Sequence, residues 1–384
     1  MFAVIGVAGL GAVAATAVVL HEAGHKTTPA TTQGPQNPGT PAASSGPGGG
    51  GGGGGGGGIP QGPSGPTTVA GLNPSKFQAF GRTHYYQIPS NAKGLVVFFP
   101  GCARFPYGFW PKSATSPECC GMPEDVSHTK QALRKGYAVL VLTPMLQTGK
   151  YAGCWSMSGG VGDYPQVQSI VSSFIQQHGF KGKPLYVIGA SSGGGLIQNL
   201  ARKVIFPISG VVSEVESHQG IPPKGSPPTV FVVMERDSKA LVEAPQHVSE
   251  YQKIGIPAAW VMSPKRVVYP TFFSDLIVTV TPTQSQAAVA SLKTSGILDA
   301  AGNILYDPHD DTKRSKWLTP LTKIMSFSMS FNTNTVLQAM LFAYAEHEHV
   351  ANYTTAALTW FEGGCKQNFN TLVSTLSVDK PASF

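Results

Sequence analysis

One stretch of this 384-residue chain brings together the residue types needed for attack on a carbonyl: Leu185-Tyr186-Val187-Ile188-Gly189-Ala190-Ser191-Ser192-Gly193-Gly194-Gly195. An apolar run of strand character leads straight into Gly-x-Ser-x-Gly, and a helical pattern follows. A serine on so sharp a strand-to-helix turn has its hydroxyl raised clear of the sheet. The flanking glycines and alanine suit the turn, because only small residues let backbones pack closely around it. Ser191 is therefore the candidate nucleophile, and the N–H of Ser192, at the helix start, is a candidate oxyanion donor. The same letters also fit a glycine-rich dinucleotide loop. Two observations oppose that reading: the loop comes after two earlier strand-and-helix units, and no tyrosine is followed four residues later by lysine.

A serine hydroxyl needs a base, and the base needs an orienting carboxylate. Downstream, the apolar run Val230-Phe231-Val232-Val233 enters Met234-Glu235-Arg236-Asp237. Asp237 is the candidate acid, with Glu235 as the near alternative and Glu214 or Glu216 further off. For the base, Ala345-Glu346-His347-Glu348-His349-Val350 follows a helical apolar pattern over Val336–Tyr344. His347 is preferred, His349 is close behind, and His309 is the outlying candidate.

The elements that must carry these groups alternate. Gly94–Phe99, Tyr137–Leu142, Leu185–Ile188, Pro228–Met234 and Pro257–Met262 read as strands. Pro123–Lys135, Gln166–Gln177, Leu196–Val204 and Pro245–Lys253 read as helices, with Pro123 and Pro245 at first-turn positions. Alternation of this kind predicts an α/β fold, a mostly parallel sheet with helices on both faces. From Gly94 to Met262, and again around the C-terminal histidines, the chain resembles the α/β-hydrolase superfamily, in particular its serine esterases and dienelactone-hydrolase-like members. The resemblance implies the order serine, acid, histidine, with the histidine before the last helix, here a helix ending near Trp360-Phe361. It also implies a second oxyanion donor from the loop after the first core strand, where this chain has Pro100-Gly101-Cys102-Ala103; Cys102 or Ala103 would supply it. Met234 stands where the family's acid turn often has glycine. The expected activity is hydrolysis of an ester, thioester or amide by a Ser-His-Asp triad, without a cofactor, on a small-molecule or lipid-like ester. The alternative is a catalytically inactive binding module on the same fold. The surplus of chain between Asp237 and His347, about residues 264–335, reads as an inserted cap.

Residues 1–20 carry no charged side chain and fit a signal peptide or a membrane anchor, which predicts the secretory pathway, secreted or tethered. Residues 21–70 are rich in Gly, Pro, Ser and Thr, with an unbroken glycine run from Gly48 to Gly58, and predict a flexible linker before a domain over 71–384. The net charge of +7 is diffuse and not interleaved with aromatics, which argues against a nucleic-acid partner. Five cysteines in an oxidising compartment predict two disulfides and one free thiol, with Cys119 and Cys120 going to different partners. Asn352-Tyr353-Thr354 is a glycosylation sequon, which predicts a surface position. His21-Glu22-Ala23-Gly24-His25 matches a zinc-protease motif, but it lies between a leader-like segment and a glycine tether. The two histidines of the 346–349 run are a weak metal proposal, since nothing near them in sequence completes a site.

Overall fold

A computed structural model describes residues 71–144, 152–156, 163–203, 206–216 and 220–380, all within the compact unit Pro63–Phe384. The leader-like segment, the glycine-rich linker and the His21–His25 motif lie outside the described residues. The strands are β1 (Ser75–Ala79), β2 (Arg82–Gln87), β3 (Leu95–Phe99), β4 (Ala138–Val141), β5 (Leu185–Ala190), β6 (Gly210–Glu214), β7 (Thr229–Met234) and β8 (Ala258–Ser263). They form one eight-stranded sheet in the order β1-β2-β4-β3-β5-β6-β7-β8. β1 and β2 are antiparallel, β2 is antiparallel to β4, and every pairing from β4 to β8 is parallel.

The apolar runs are buried on both sides, as a parallel sheet requires. Val96 and Phe98 of β3 pack in one core with Val139, Tyr186, Ile188 and Val212. Their neighbours Val97 and Phe99 pack in the other with Leu140, Val187 and Val211. The first core is closed by α1 (Pro123–Arg134) and by helices from the C-terminal third. The second is closed by α2 (Asp163–Gln177) and α3 (Ser192–Lys203). α4 (Ser238–Lys253) lies over Phe231 and Val233 of β7. Among the described residues no helix is long and apolar enough to cross a membrane.

Several expectations need correction. The polar-rich β1 and β2 and the short β6 were not foreseen as strands. Ser75–Gln87 lacks a continuous apolar run, and its turn is built from Phe80 and Gly81, both at positive φ. Pro245 lies inside α4, not in its first turn, because Asp237 starts that helix earlier by capping it. The segment 264–335 carries α5 (Phe272–Leu276), α6 (Pro282–Thr294) and α7 (Asp311–Leu321). Phe273, Val289 and Trp317 from these helices join the main core. After α8 (Thr335–Tyr344) and α9 (Thr354–Glu362), a further helix α10 (Phe369–Leu376) follows, so α9 is not the last.

Only one disulfide is present among the described residues, Cys102–Cys154; Cys119, Cys120 and Cys365 are free. Cys119 is buried near Tyr85 of β2, while Cys365 sits in a groove beside Trp260 of β8, at the opposite edge of the sheet. That separation exceeds the reach of a disulfide. Asn352 is 2% exposed, and its side-chain amide donates to the Val378 carbonyl at 2.7 Å, so the sequon is not a surface spot.

Candidate active site

The chain runs from β3 to β4 on one side of it and then crosses to β5 on the other. The order of the sheet therefore reverses between β3 and β5, where open α/β sheets form a crevice at the carboxyl ends of their strands. The loop after β3 and the turn after β5 both meet there. Ser191 occupies that second turn at φ 51°, a left-handed conformation that costs of order 1–3 kcal/mol for a residue with a side chain. The turn holds because its surroundings over-determine it. Ser191 N–H donates to Glu214 O at 2.9 Å, and Gly195 N–H donates to Ser191 O at 3.0 Å. A Cβ on Gly193 would fall 2.0 Å from Phe99 O, and one on Gly189 would fall 2.6 Å from Gly193 O. Those contacts explain why this turn is built from glycine.

His347 reaches Ser191 from the far end of the chain. α8 ends at Ala345, which is left-handed at φ 61° and turns the chain back over the sheet. His347 Nε2 then lies 2.9 Å from Ser191 Oγ, and His347 Nδ1 lies 3.2 Å from Asp237 Oδ2. Asp237 is held by its own helix, since its Oδ1 accepts the Ala240 N–H at 3.1 Å as the cap of α4. Two bonds tie the acid turn to the histidine loop. Arg236 N–H donates to Ala345 O at 2.7 Å, and Glu348 N–H meets Met234 Sδ at 3.3 Å. The residue in the family's glycine place is thus a buried support for the loop that carries His347.

The alternatives are occupied elsewhere. Glu235 forms an ion pair with Lys265 at 2.8 Å, which holds its carboxyl below the usual range. Glu214 is buried against His128 and the Val350 N–H. Glu216 offers its backbone carbonyl to Gln198 and Ser213. His309 lines the same cavity as Ser191, but its Nδ1 is bound to Asp307 at 2.9 Å.

His349 does not reach Ser191; both of its ring nitrogens bond elsewhere. Two residues beyond His347 the chain has turned inward, and His349 is 4% exposed, with Nδ1 2.6 Å from Asp125 Oδ1 and Nε2 accepting the Gly101 N–H at 3.1 Å. Both ring nitrogens are engaged, so it has no free nitrogen for a substrate. Burial by itself would push its pKa down, but Asp125, Glu348 and Glu214 outweigh burial and hold it above the ordinary histidine value. Ala103 is also corrected, because its N–H donates to Gly153 O at 3.1 Å and is not available to an oxyanion. Cys102 and Ser192 keep backbone N–H groups without a backbone acceptor among the described residues. Asp125 was missed as part of this region. Its only signal in the sequence was a place in the first turn of a helix, which any capping acid shares.

The loop after β3 is clamped. The Cys102–Cys154 disulfide joins it to the chain before α2, and Trp155 Nε1 donates to Pro100 O at 2.7 Å. Beside Ser191 lies a cavity of about 150 Å³, lined by Arg104, Val215, His309 and Phe331 among others. His309 and Phe331 come from the long segment before α8. Among the described residues one further group has metal-ligand chemistry, partly exposed Asp307, His309 and Glu346. His347 and His349 point to different partners and do not converge on one ion.

No protein-family model matches this chain, and no curated protein does. Solved structures match it in part. An α/β hydrolase enzyme from a Medee basin deep-sea metagenome library is 18% identical, with 66% of this chain and 98% of that one covered and a TM-score of 0.36. A thermostable esterase from Pseudomonas putida is 14% identical, with 51% and 74% covered and a TM-score of 0.35. A second thermostable esterase is 11% identical, with 50% and 55% covered and a TM-score of 0.34. Likeness at this level carries no argument about activity, and the fold rests on the sheet's own order and directions. That sheet, with its serine turn after the third strand of the parallel core, has the order and strand directions expected of the α/β-hydrolase fold.

Proposed function

We propose that this chain is a serine hydrolase that cleaves a carboxylic ester. The observation that carries the reading is the continuous contact from Asp237 through His347 to Ser191, built from three elements distant in sequence. His347 Nε2 takes the Ser191 proton as Oγ attacks the carbonyl carbon, while Asp237 keeps the other ring nitrogen protonated and stabilises the imidazolium. The N–H groups of Ser192 and Cys102 hold the oxyanion. His347 then gives its proton to the leaving alcohol, and a water, deprotonated by the same nitrogen, releases the acyl group from Ser191. No step calls for a cofactor. Action in the secretory pathway, with residues 1–20 as leader or tether, belongs to the same proposal, and the Cys102–Cys154 disulfide supports an oxidising compartment.

The test is labelling with a fluorophosphonate probe beside hydrolysis of short-chain p-nitrophenyl esters. Ser191→Ala is expected to abolish labelling and lower kcat about 10⁴-fold or more, with unchanged circular dichroism, while Ser192→Ala still labels. A well-folded wild type that neither labels nor turns over would favour the binding module.

A further inference from the structure

The loop that follows β3 has four N–H groups from Gly101 to Arg104, since Pro100 has none. Gly101 donates to His349 Nε2 at 3.1 Å, Ala103 to Gly153 O at 3.1 Å and Arg104 to Gly101 O at 3.1 Å. Cys102 alone has no acceptor among the described residues, and it lines the cavity together with Ser191. The acceptor for Gly101 is a side chain, so this pattern depends on one ring nitrogen being free of a proton.

Asp125 controls that nitrogen. It is fully buried in the first turn of α1, and its second oxygen, Oδ2, has no hydrogen-bond partner, so its one strong contact is His349 Nδ1 at 2.6 Å. A buried carboxylate in that position draws the imidazole proton to Nδ1, which leaves Nε2 as an acceptor. The fit is close: a Cβ on Gly101 would stand 3.3 Å from His349 Nε2 and 3.5 Å from the Ser191 Cβ.

We infer that His349 is a positioning residue for the oxyanion site, its bare Nε2 taking the Gly101 N–H so that Cys102 N–H is left as the loop's donor beside Ser191. The inference rests on the hydrolase reading. A pH dependence follows from the geometry. The groups facing His349 are Asp125 from α1, Glu214 from the end of β6 and neighbouring Glu348; Glu348 is paired with Arg104, and Glu214 with His128. A proton added at Nε2 turns the acceptor into a donor facing the Gly101 N–H, and the loop loses its anchor. The acid side of the activity profile then includes the loss of the positioner His349.

The experiment compares wild type, His349→Gln and His349→Leu by kcat, KM, fluorophosphonate labelling rate and pH profile. Gln offers an amide oxygen to Gly101 that does not titrate, and Leu offers nothing. Leu is expected to lower kcat about 100-fold, the size of a lost oxyanion donor, with KM little changed. Gln is expected to recover part of that loss. On the acid side, log kcat/KM should fall less steeply in His349→Gln than in wild type, because the amide does not titrate. Imidazole nitrogen-15 spectra of wild type should show Nδ1 protonated and Nε2 bare above the acid limb. A labelled, active wild type whose rate is unaltered by His349→Leu would overturn the positioning role, as would an acid limb in His349→Gln as steep as that of wild type, or an Nε2-protonated tautomer. Absence of labelling in wild type would instead count against the hydrolase reading itself.

Discussion

Two histidines stand two residues apart on one loop, and each faces an aspartate through Nδ1. His347 lines the cavity and Asp237 backs it, with side chains 46% and 14% exposed, and Nε2 meets a serine hydroxyl. His349 and Asp125 are sealed, at 6% and 1%, and Nε2 meets a backbone N–H. The same pair of side chains thus appears once open to solvent beside a serine hydroxyl and once buried against a backbone N–H. A proton shuttle needs a reacting partner and access to solvent. A buried pair with its outer hydrogen bond made to backbone serves to hold that backbone in place. Chemistry of side chains alone does not separate the two; depth does.

The cavity-side pair should give the largest effect when disturbed. Asp237→Asn keeps an oxygen for the Ala240 N–H but no longer enforces the tautomer, so kcat is expected to fall about 10⁴-fold with stability little changed. Asp237→Ala should lose activity equally and, in addition, about 1 kcal/mol of stability as the cap of α4 disappears. Paired steady-state kinetics and urea melts on both variants check this; an Asn variant that unfolds would mean that Asp237 serves mainly the fold.

An intermediate effect is expected at the clamp between the two pairs. Replacing both Cys102 and Cys154 by serine releases the loop whose N–H groups His349 and Gly153 hold. Stability should drop by about 2–4 kcal/mol, and probe labelling should slow about tenfold. The loss of labelling rate should exceed any change in ester KM. Equal rates with and without the disulfide would show that His349 and Trp155 suffice to position the loop.

The smallest expected effect on activity lies on the sealed side, at Glu124. Burial raises its carboxyl to about 8, against the bond it accepts from Ala351 N–H. Between its ordinary value of 4.5 and about 8 the native state therefore holds a proton that the unfolded chain has lost. Stability is greatest below that window and declines as pH rises through it. Glu124→Gln should keep the Ala351 bond, flatten this decline and leave kcat close to wild type. Urea midpoints measured on both sides of the window would decide it.

Much of the core was legible before any coordinates. Val96, Val187 and Val230 lie in apolar runs long enough to be strands and too short for membrane spans, and all three are buried in the sheet. Ser191 was readable because its turn demands glycines at fixed spacing, which is a local steric requirement. β1 and β2 were not, because Lys76, Gln78, Arg82 and Thr83 leave no continuous apolar run, although Phe77, Ala79 and Tyr86 pack against the core. The two missing disulfide partners were a matter of distance across the sheet, which cysteine counting does not contain.

By itself, the sequence determined the alternation of strands and helices, the strained serine turn and the short set of acids and histidines able to serve it. These depend on steric and hydrophobic rules that act over a few residues. Only the tertiary structure decided which histidine faces Ser191, that Ala103 is spent on Gly153 and that Asp125 governs His349. Those outcomes turn on burial and on bonds between residues far apart in the chain, from Ala103 with Gly153 to Asp125 with His349, and such contacts leave no local pattern in a single chain.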